Sequence, residues 1–215
     1  MISGSRKVQS YRMRSVELPQ GHLAFAEGLP PVPLQLMGTL LEQVPWEQPT
    51  YNFGGVTVPQ PRLSCWMGDP EAVYRYSGRT YAPQPWHPAV EQLRQVMSGV
   101  ADDLLPGGFN GCLLNYYRDN HDSISFHSDD EPELGRQPVV VTLSLGAQRV
   151  MQLRHKYREH PAVRLPLPDN SVLLMWGRTQ QLWKHGIPKQ KRLCGQRLSL
   201  TFRRIYTKEE LRVGA

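Results

Sequence analysis

A chain of 215 residues with 40% hydrophobic and 20% charged side chains is long enough for one proper core, and its longest strongly apolar run, Val139 to Leu145, is far too short to span a bilayer. Nineteen prolines and 18 glycines favour many short elements joined by turns over a helical bundle. The formal charge of +6 suits a polyanionic partner, because fixed positive charge attracts phosphate, but does not choose one.

Residues 1–30 read as polar and irregular, with no apolar h-region behind MISGSRKVQSYRMRS; no signal peptide is expected, and the expected location is the cytoplasm or nucleus. Pro30 and Pro31 introduce VPLQLMGTLLEQV, where Leu36, Leu40 and Leu41 follow helical spacing. Residues 49–85, rich in Pro, Gly and aromatics, read as loops and hairpins. A second helix is predicted from Pro88 to about Asp103, with Val90, Leu93, Val96, Met97 and Val100 on one face. From Asn110 the character changes. GCLLNYY, ISFHSD, VVVTLSL, RVMQLR, AVRLPL, SVLLMW and RLSLTF are short β-type runs separated by turn-prone stretches, which suggests a sandwich, barrel or jelly roll behind one helical layer. The chain divides into 1–48, 49–105 and 106–215, together expected to form one compact unit and a monomer. Cys65, Cys112 and Cys194 lie far apart with no CxxC pair; they read as reduced, buried thiols, and a structural zinc site is not expected.

His127 and Asp129 stand two apart on a predicted strand, so an imidazole and a carboxylate project to the same face. His185, bracketed by apolar residues, supplies a third ligand. Two histidines and one carboxylate on one side of a metal leave open positions opposite, as non-heme iron(II) oxygenases require. Zinc hydrolases use similar ligands, and His-x-Asp also arises by chance, so the triad alone does not decide.

Arg197-Leu-Ser-Leu-Thr-Phe-Arg203 alternates strictly: Arg197, Ser199, Thr201 and Arg203 share one face, Leu198, Leu200 and Phe202 the other. With the apolar face packed into the sandwich, the polar face looks the opposite way, as either a solvated sheet surface or a dicarboxylate clamp. Asn115 and Tyr117, again two apart, are placed to add hydrogen bonds to the same ligand.

Asn115-x-Tyr117, His127-x-Asp129, His185 and the two arginines at 197 and 203, in this order across roughly residues 50–205, resemble the AlkB-like dioxygenases, the oxidative nucleic-acid demethylases. YRYSGRTYAPQPWHP (74–88), HSDDEPEL (127–134), RHK (154–156) and RLSLTFR (197–203) are most similar to the branch that repairs duplex DNA. The resemblance implies a mainly β double-stranded β-helix, or jelly roll, with N-terminal helices and a nucleotide-recognition lid in residues 49–105. It implies iron(II) on His127, Asp129 and His185, and 2-oxoglutarate on Asn115, Tyr117, Arg197, Thr201 and Arg203. It places Tyr74, Tyr76 and Ser77 in the lid beside a flipped base, with Glu131 accepting from the exocyclic amine. Arg62, Arg154 and Lys156 join the substrate contacts, the last two against backbone phosphates. Phe53 is the candidate wedge, although its register is displaced, and Asn120 and Ser125 stand where the family commonly has glycine. The implied reaction removes an N-methyl group from bases such as N1-methyladenine and N3-methylcytosine, consuming oxygen and 2-oxoglutarate and releasing succinate, carbon dioxide and formaldehyde. The same chemistry on RNA, protein or a small molecule is the alternative, and an inactive nucleic-acid-binding module the remaining one.

Overall fold

A computed structural model describes residues 13–28, 32–76 and 79–213. Two sheets face each other. The larger has seven strands in the order β1 (Arg14–Val16), β2 (His22–Glu27), β13 (Ser171–Trp176), β10 (Val140–Gly146), β15 (Arg197–Arg203), β8 (Gly111–Tyr117) and β5 (Leu63–Gly68). The smaller runs β12 (Val163–Leu167), β11 (Arg149–His155), β14 (Trp183–Ile187) and β9 (Ile124–His127). All neighbouring strands in both sheets are antiparallel. This is the expected jelly roll. Two hairpins, β3 (Thr50–Phe53) with β4 (Val56–Pro59) and β6 (Tyr74–Tyr76) with β7 (Arg79–Tyr81), stand apart from the sheets.

The helices cover the outer face of the large sheet. In α1 (Leu36–Gln43) Leu36 and Leu40 are buried; in α2 (Pro88–Val100) Val90, Leu93 and Met97 are, at the spacing of one helical stripe. His87 caps α2, its Nδ1 accepting the Ala89 N–H at 3.2 Å, and Pro88 occupies the first turn where its missing N–H costs nothing. The helix ends at Val100, three residues before the predicted limit, and the chain turns through Ala101 to Leu105. These apolar stripes share one core with Leu114, Leu143, Leu198, Leu200 and Phe202. A second core lies between the sheets, built from Leu23, Phe25, Met151, Leu153, Leu165, Trp183 and Ile187 among others.

Three expectations change. The stretch read as irregular contains β1 and β2, and β2 pairs with β13 along its whole length. Its apolar segment, Leu23–Ala26, is buried on both faces and so carries no alternation to recognise. Within residues 49–85, β5 is a full member of the large sheet. The third concerns β15. Its leucines and Phe202 face the helices, while Arg197, Ser199, Thr201 and Arg203 face inward between the sheets, opposite His127, Met151 and His185. Cys65 and Cys112 are buried as expected, and Cys194 is half-buried. Among the described residues no helix is long and apolar enough to cross a membrane.

Candidate active site

Strands β9 and β14 pair antiparallel with His127 directly opposite His185, and their rings lie 4.4 Å apart between centroids. The register shifts between His185 and Ile187, around Gly186. A Cβ at Gly186 would stand 2.9 Å from the Ile124 carbonyl oxygen, so the close approach of β9 depends on glycine. The strand ends at His127, and Asp129 lies just beyond it rather than on it. Two bonds aim that segment: Ser128 Oγ donates to the Trp183 carbonyl at 2.9 Å, and the Asp129 N–H donates to Gln180 Oε1 at 3.0 Å. The carboxylate thereby reaches 3.9 Å from each histidine, Oδ1 to His127 Nε2 and Oδ2 to His185 Nε2.

His127 Nδ1 lies 2.9 Å from the Ser125 carbonyl, which can only accept; Nδ1 therefore carries the proton and Nε2 presents its lone pair toward Asp129. Burial and the neighbouring His127 hold the His185 pKa down to about 3, and burial lowers that of His127 as well. Burial alone would raise the Asp129 pKa, but Arg203 and the two histidines outweigh it and hold it at about 2. Near neutral pH the site thus offers two neutral imidazoles and one carboxylate, the protonation states a divalent metal needs. Asp129 Oδ2 is fully buried and unbonded. A buried carboxylate oxygen without a donor is costly unless a cation completes it, so the donor set fits iron(II).

Beside the triad, Asn115, Tyr117, Arg197, Thr201 and Arg203 line one cavity with both histidines. Arg197 is 1% exposed; its Nη2 donates to Ser144 Oγ at 2.9 Å and the Tyr117 side chain is a second hydrogen-bonding neighbour, while Nε and Nη1 are buried without a well-aligned acceptor. The Tyr117 ring lies beneath it, 5.1 Å from the guanidinium carbon to the ring centre. Leaving such donors unmatched costs about 1–3 kcal/mol each, and a carboxylate of a small dianion satisfies both at once. Arg203 donates to Asp129 Oδ1 at 2.8 Å, and its Nε and Nη1 are likewise buried and unbonded. Asn115 accepts at Oδ1 from Arg62 Nε at 2.8 Å, and the Thr142 hydroxyl bonds that of Thr201 at 3.3 Å. The polar residues read from β15 are therefore brought together, inside the sandwich rather than outside it.

The substrate candidates are more dispersed. Tyr74 is buried, with its ring 4.9 Å from that of Trp66 and the Arg203 guanidinium 5.6 Å from its centre. Its hydroxyl shares a hydrogen bond with Glu131, whose pKa burial and Asp129 raise to about 7. Arg62 is buried at the junction of two cavities, where it orients Asn115. Arg154 is exposed and stacks on Phe126 at 3.9 Å, and Lys156 pairs with Asp130 at 2.8 Å. Ser77 and the side chains of Tyr76 and Phe53 lie outside the described residues. Asn120 is buried and pins the segment after β14 through two bonds with Gln190, without the left-handed backbone that asparagine would tolerate there.

Several residues of the site had not been singled out: Ser144, Gln180, Tyr51 and Arg149. Tyr51, on β3, lines with Arg62 and His127 a cavity of about 280 Å³. Arg149 is fully buried, donates to the carbonyls of Asp119, Asp122 and Pro188, and its guanidinium also lies near the Tyr117 ring, 5.6 Å from its centre. Its signal was available: in RVMQLR the arginine shares a face with Met151 and Leu153, and a charge on a buried face requires partners.

Residues 32–203 match the 2OG-Fe(II) oxygenase superfamily. The chain belongs to this superfamily. Within it the oxygenase is 39% identical over 176 residues to the alpha-ketoglutarate-dependent dioxygenase alkB homolog 3 of Bos taurus, covering 78% of this chain and 59% of that protein. It is 38% identical over 180 residues to the Homo sapiens counterpart, covering 80% and 61%. It is also 38% identical over 152 residues to the DNA oxidative demethylase ALKBH2 of Homo sapiens, covering 67% and 57%. The chain thus spans roughly 60% of the length of these relatives, and the AlkB-like resemblance read from the motifs holds. The solved structure of OsALKBH1 superimposes with a TM-score of 0.60 at 16% identity, covering 89% of this chain and all of that one, which supports the fold.

Proposed function

We propose that this oxygenase removes N-methyl groups from alkylated nucleic-acid bases, with DNA as its substrate. The reading is carried by one observation: Arg197, with two unbonded donors, lines one cavity with His127 and His185, and the unbonded Asp129 Oδ2 lies 3.9 Å from His185 Nε2. His127, Asp129 and His185 would hold iron(II), and Arg197, Asn115 and Thr201 would hold 2-oxoglutarate. When bound, these supply oxidation of a carbon–hydrogen bond by oxygen, coupled to decarboxylation of 2-oxoglutarate to succinate.

The chain's own residues position the partners. Arg197, buried at 1% exposure, would neutralise the far carboxylate, and Arg203 holds Asp129 Oδ1 and leaves Oδ2 free of donors. For the base, support comes from a second cavity that shares Leu113 and Asn115 with the first and is walled by Trp66, Tyr74 and Tyr81. Aromatic walls suit a base taken out of its stack. Glu131, half-buried beside Asp129, complements the positive charge of N1-methyladenine or N3-methylcytosine. The similarity to ALKBH2, a DNA oxidative demethylase, supports DNA. The β3–β4 hairpin, whose exposed Tyr51 lines a cavity with Arg62 and His127, supports contact with a duplex.

Mass spectrometry of methylated single- and double-stranded DNA and of methylated RNA, incubated with iron(II), 2-oxoglutarate and air, tests this. The expected result is loss of one methyl group from DNA with stoichiometric succinate. Demethylation confined to RNA overturns the choice of DNA, and succinate release with no demethylated strand overturns the nucleic-acid reading.

A further inference from the structure

A second group of ligating side chains lies at the end of β11, apart from the triad. His155, Glu159 and His160 each offer a ligand atom within 4.8 Å of the other two. His155 is 4% exposed, and its Nε2 is buried without a hydrogen-bond partner, as is Nε2 of His160. The Glu159 carboxylate, largely exposed, stands 3.9 Å from His155 Nδ1, which also accepts the Glu159 backbone N–H at 3.3 Å. Both imidazoles rest on Trp183: His160 stacks on it at 6.2 Å and 14°, and His155 meets it edge-on at 5.1 Å. Trp183 is itself held, with Nε1 donating to the Pro19 carbonyl at 3.0 Å.

We propose that His155, Glu159 and His160 form a second metal site, for a zinc-class divalent ion, that staples the turn after β11. Two imidazoles and one carboxylate are borderline donors that favour zinc, nickel or copper over calcium or magnesium. A tetrahedral zinc ion at ordinary bond lengths would bring its ligand atoms to about 3.3 Å apart, so atoms now within 4.8 Å of one another would close by up to about 1.5 Å. Glu159 and His160 follow the strand and can turn, whereas His155 is fixed on it. The turn also stores strain that a metal would hold in place, since Arg158 adopts a left-handed φ of 61° without being glycine. Cysteines argued against a structural zinc site; a histidine-based one is a different matter.

Untagged protein is dialysed against zinc(II) alone and its bound metal measured by elemental analysis, for the wild type and for Asp129→Ala, Glu159→Ala and His160→Ala. The expected result is two ions per chain in the wild type and one in each variant, with none in Asp129→Ala combined with His160→Ala. One ion in the wild type overturns the second site, as does a full complement of two in both Glu159→Ala and His160→Ala. Because the readout is binding of zinc and not turnover, it stands or falls separately from the demethylase reading.

Discussion

Arg203 donates from Nη2 to Oδ1 of Asp129 at 2.8 Å, with both groups buried, and the other carboxylate oxygen is left without a donor. The arginine therefore acts twice: it balances a buried anion, and it decides which oxygen is available. Arg203→Gln should lower affinity for manganese(II), a redox-stable probe, by about 10–100-fold, the usual effect of removing a partner of a metal ligand. Calorimetric titration checks it, and unchanged affinity would mean that Asp129 needs no such support. Asp129→Ala should abolish metal binding at the triad and turnover, and should cost about 3–5 kcal/mol in folding because Arg203 is left charged in the interior. Asp129→Asn should lose turnover with less of that cost.

Arg197→Ala removes the two unmatched donors of the cosubstrate cavity. The expected effect is a rise in the 2-oxoglutarate KM of about 10²-fold, corresponding to the roughly 1.5–3 kcal/mol of a hydrogen bond to a charged group. Arg197→Lys should recover little, because a point charge cannot reproduce a two-pronged contact. Steady-state kinetics with varied 2-oxoglutarate decides it; a KM equal to wild type would mean that the carboxylate lies elsewhere.

Acid should destabilise the metal-free protein well above the carboxylate range. The folded chain holds His185 near 3, whereas its ordinary value is 6.5. Between those limits the unfolded chain binds a proton that the folded chain refuses, so stability falls as pH drops through about 6.5, by up to about 1.4 kcal/mol per pH unit from this residue. His127, lowered in the same way, adds to the slope. Urea unfolding with a chelator from pH 7 to pH 4.5 should show it, and His185→Gln should flatten the curve. Equal slopes in the two proteins would refute the assignment.

Gly186→Ala should separate β14 from β9, since the new Cβ meets backbone at Ile124 and Phe126 rather than a movable side chain. The histidines at 127 and 185 would then part, and metal affinity should fall more than thermal stability. A variant with wild-type affinity would show that their spacing does not rest on this contact.

Local pattern was enough for much of this protein. The alternation in RLSLTFR, the helical stripe from Val90 to Met97 and the strands from Gly111 onward were legible because period and residue chemistry are short-range properties, whereas the triad with its two arginines was assigned only through the AlkB-like resemblance. Other features were not. The β2 strand went unread because it is buried on both faces, and the aim of Asp129 went unread because Gln180, 51 residues away, directs it. The polar face of β15 points inward because α1 and α2 cover its apolar face, and alternation names two faces without saying which one meets the core. That choice belongs to tertiary structure, since burial is settled by elements distant in the chain. The pairing of His155 with His160 over Trp183 has the same origin: the histidines are neighbours in sequence, but the indole that orients both comes from another strand.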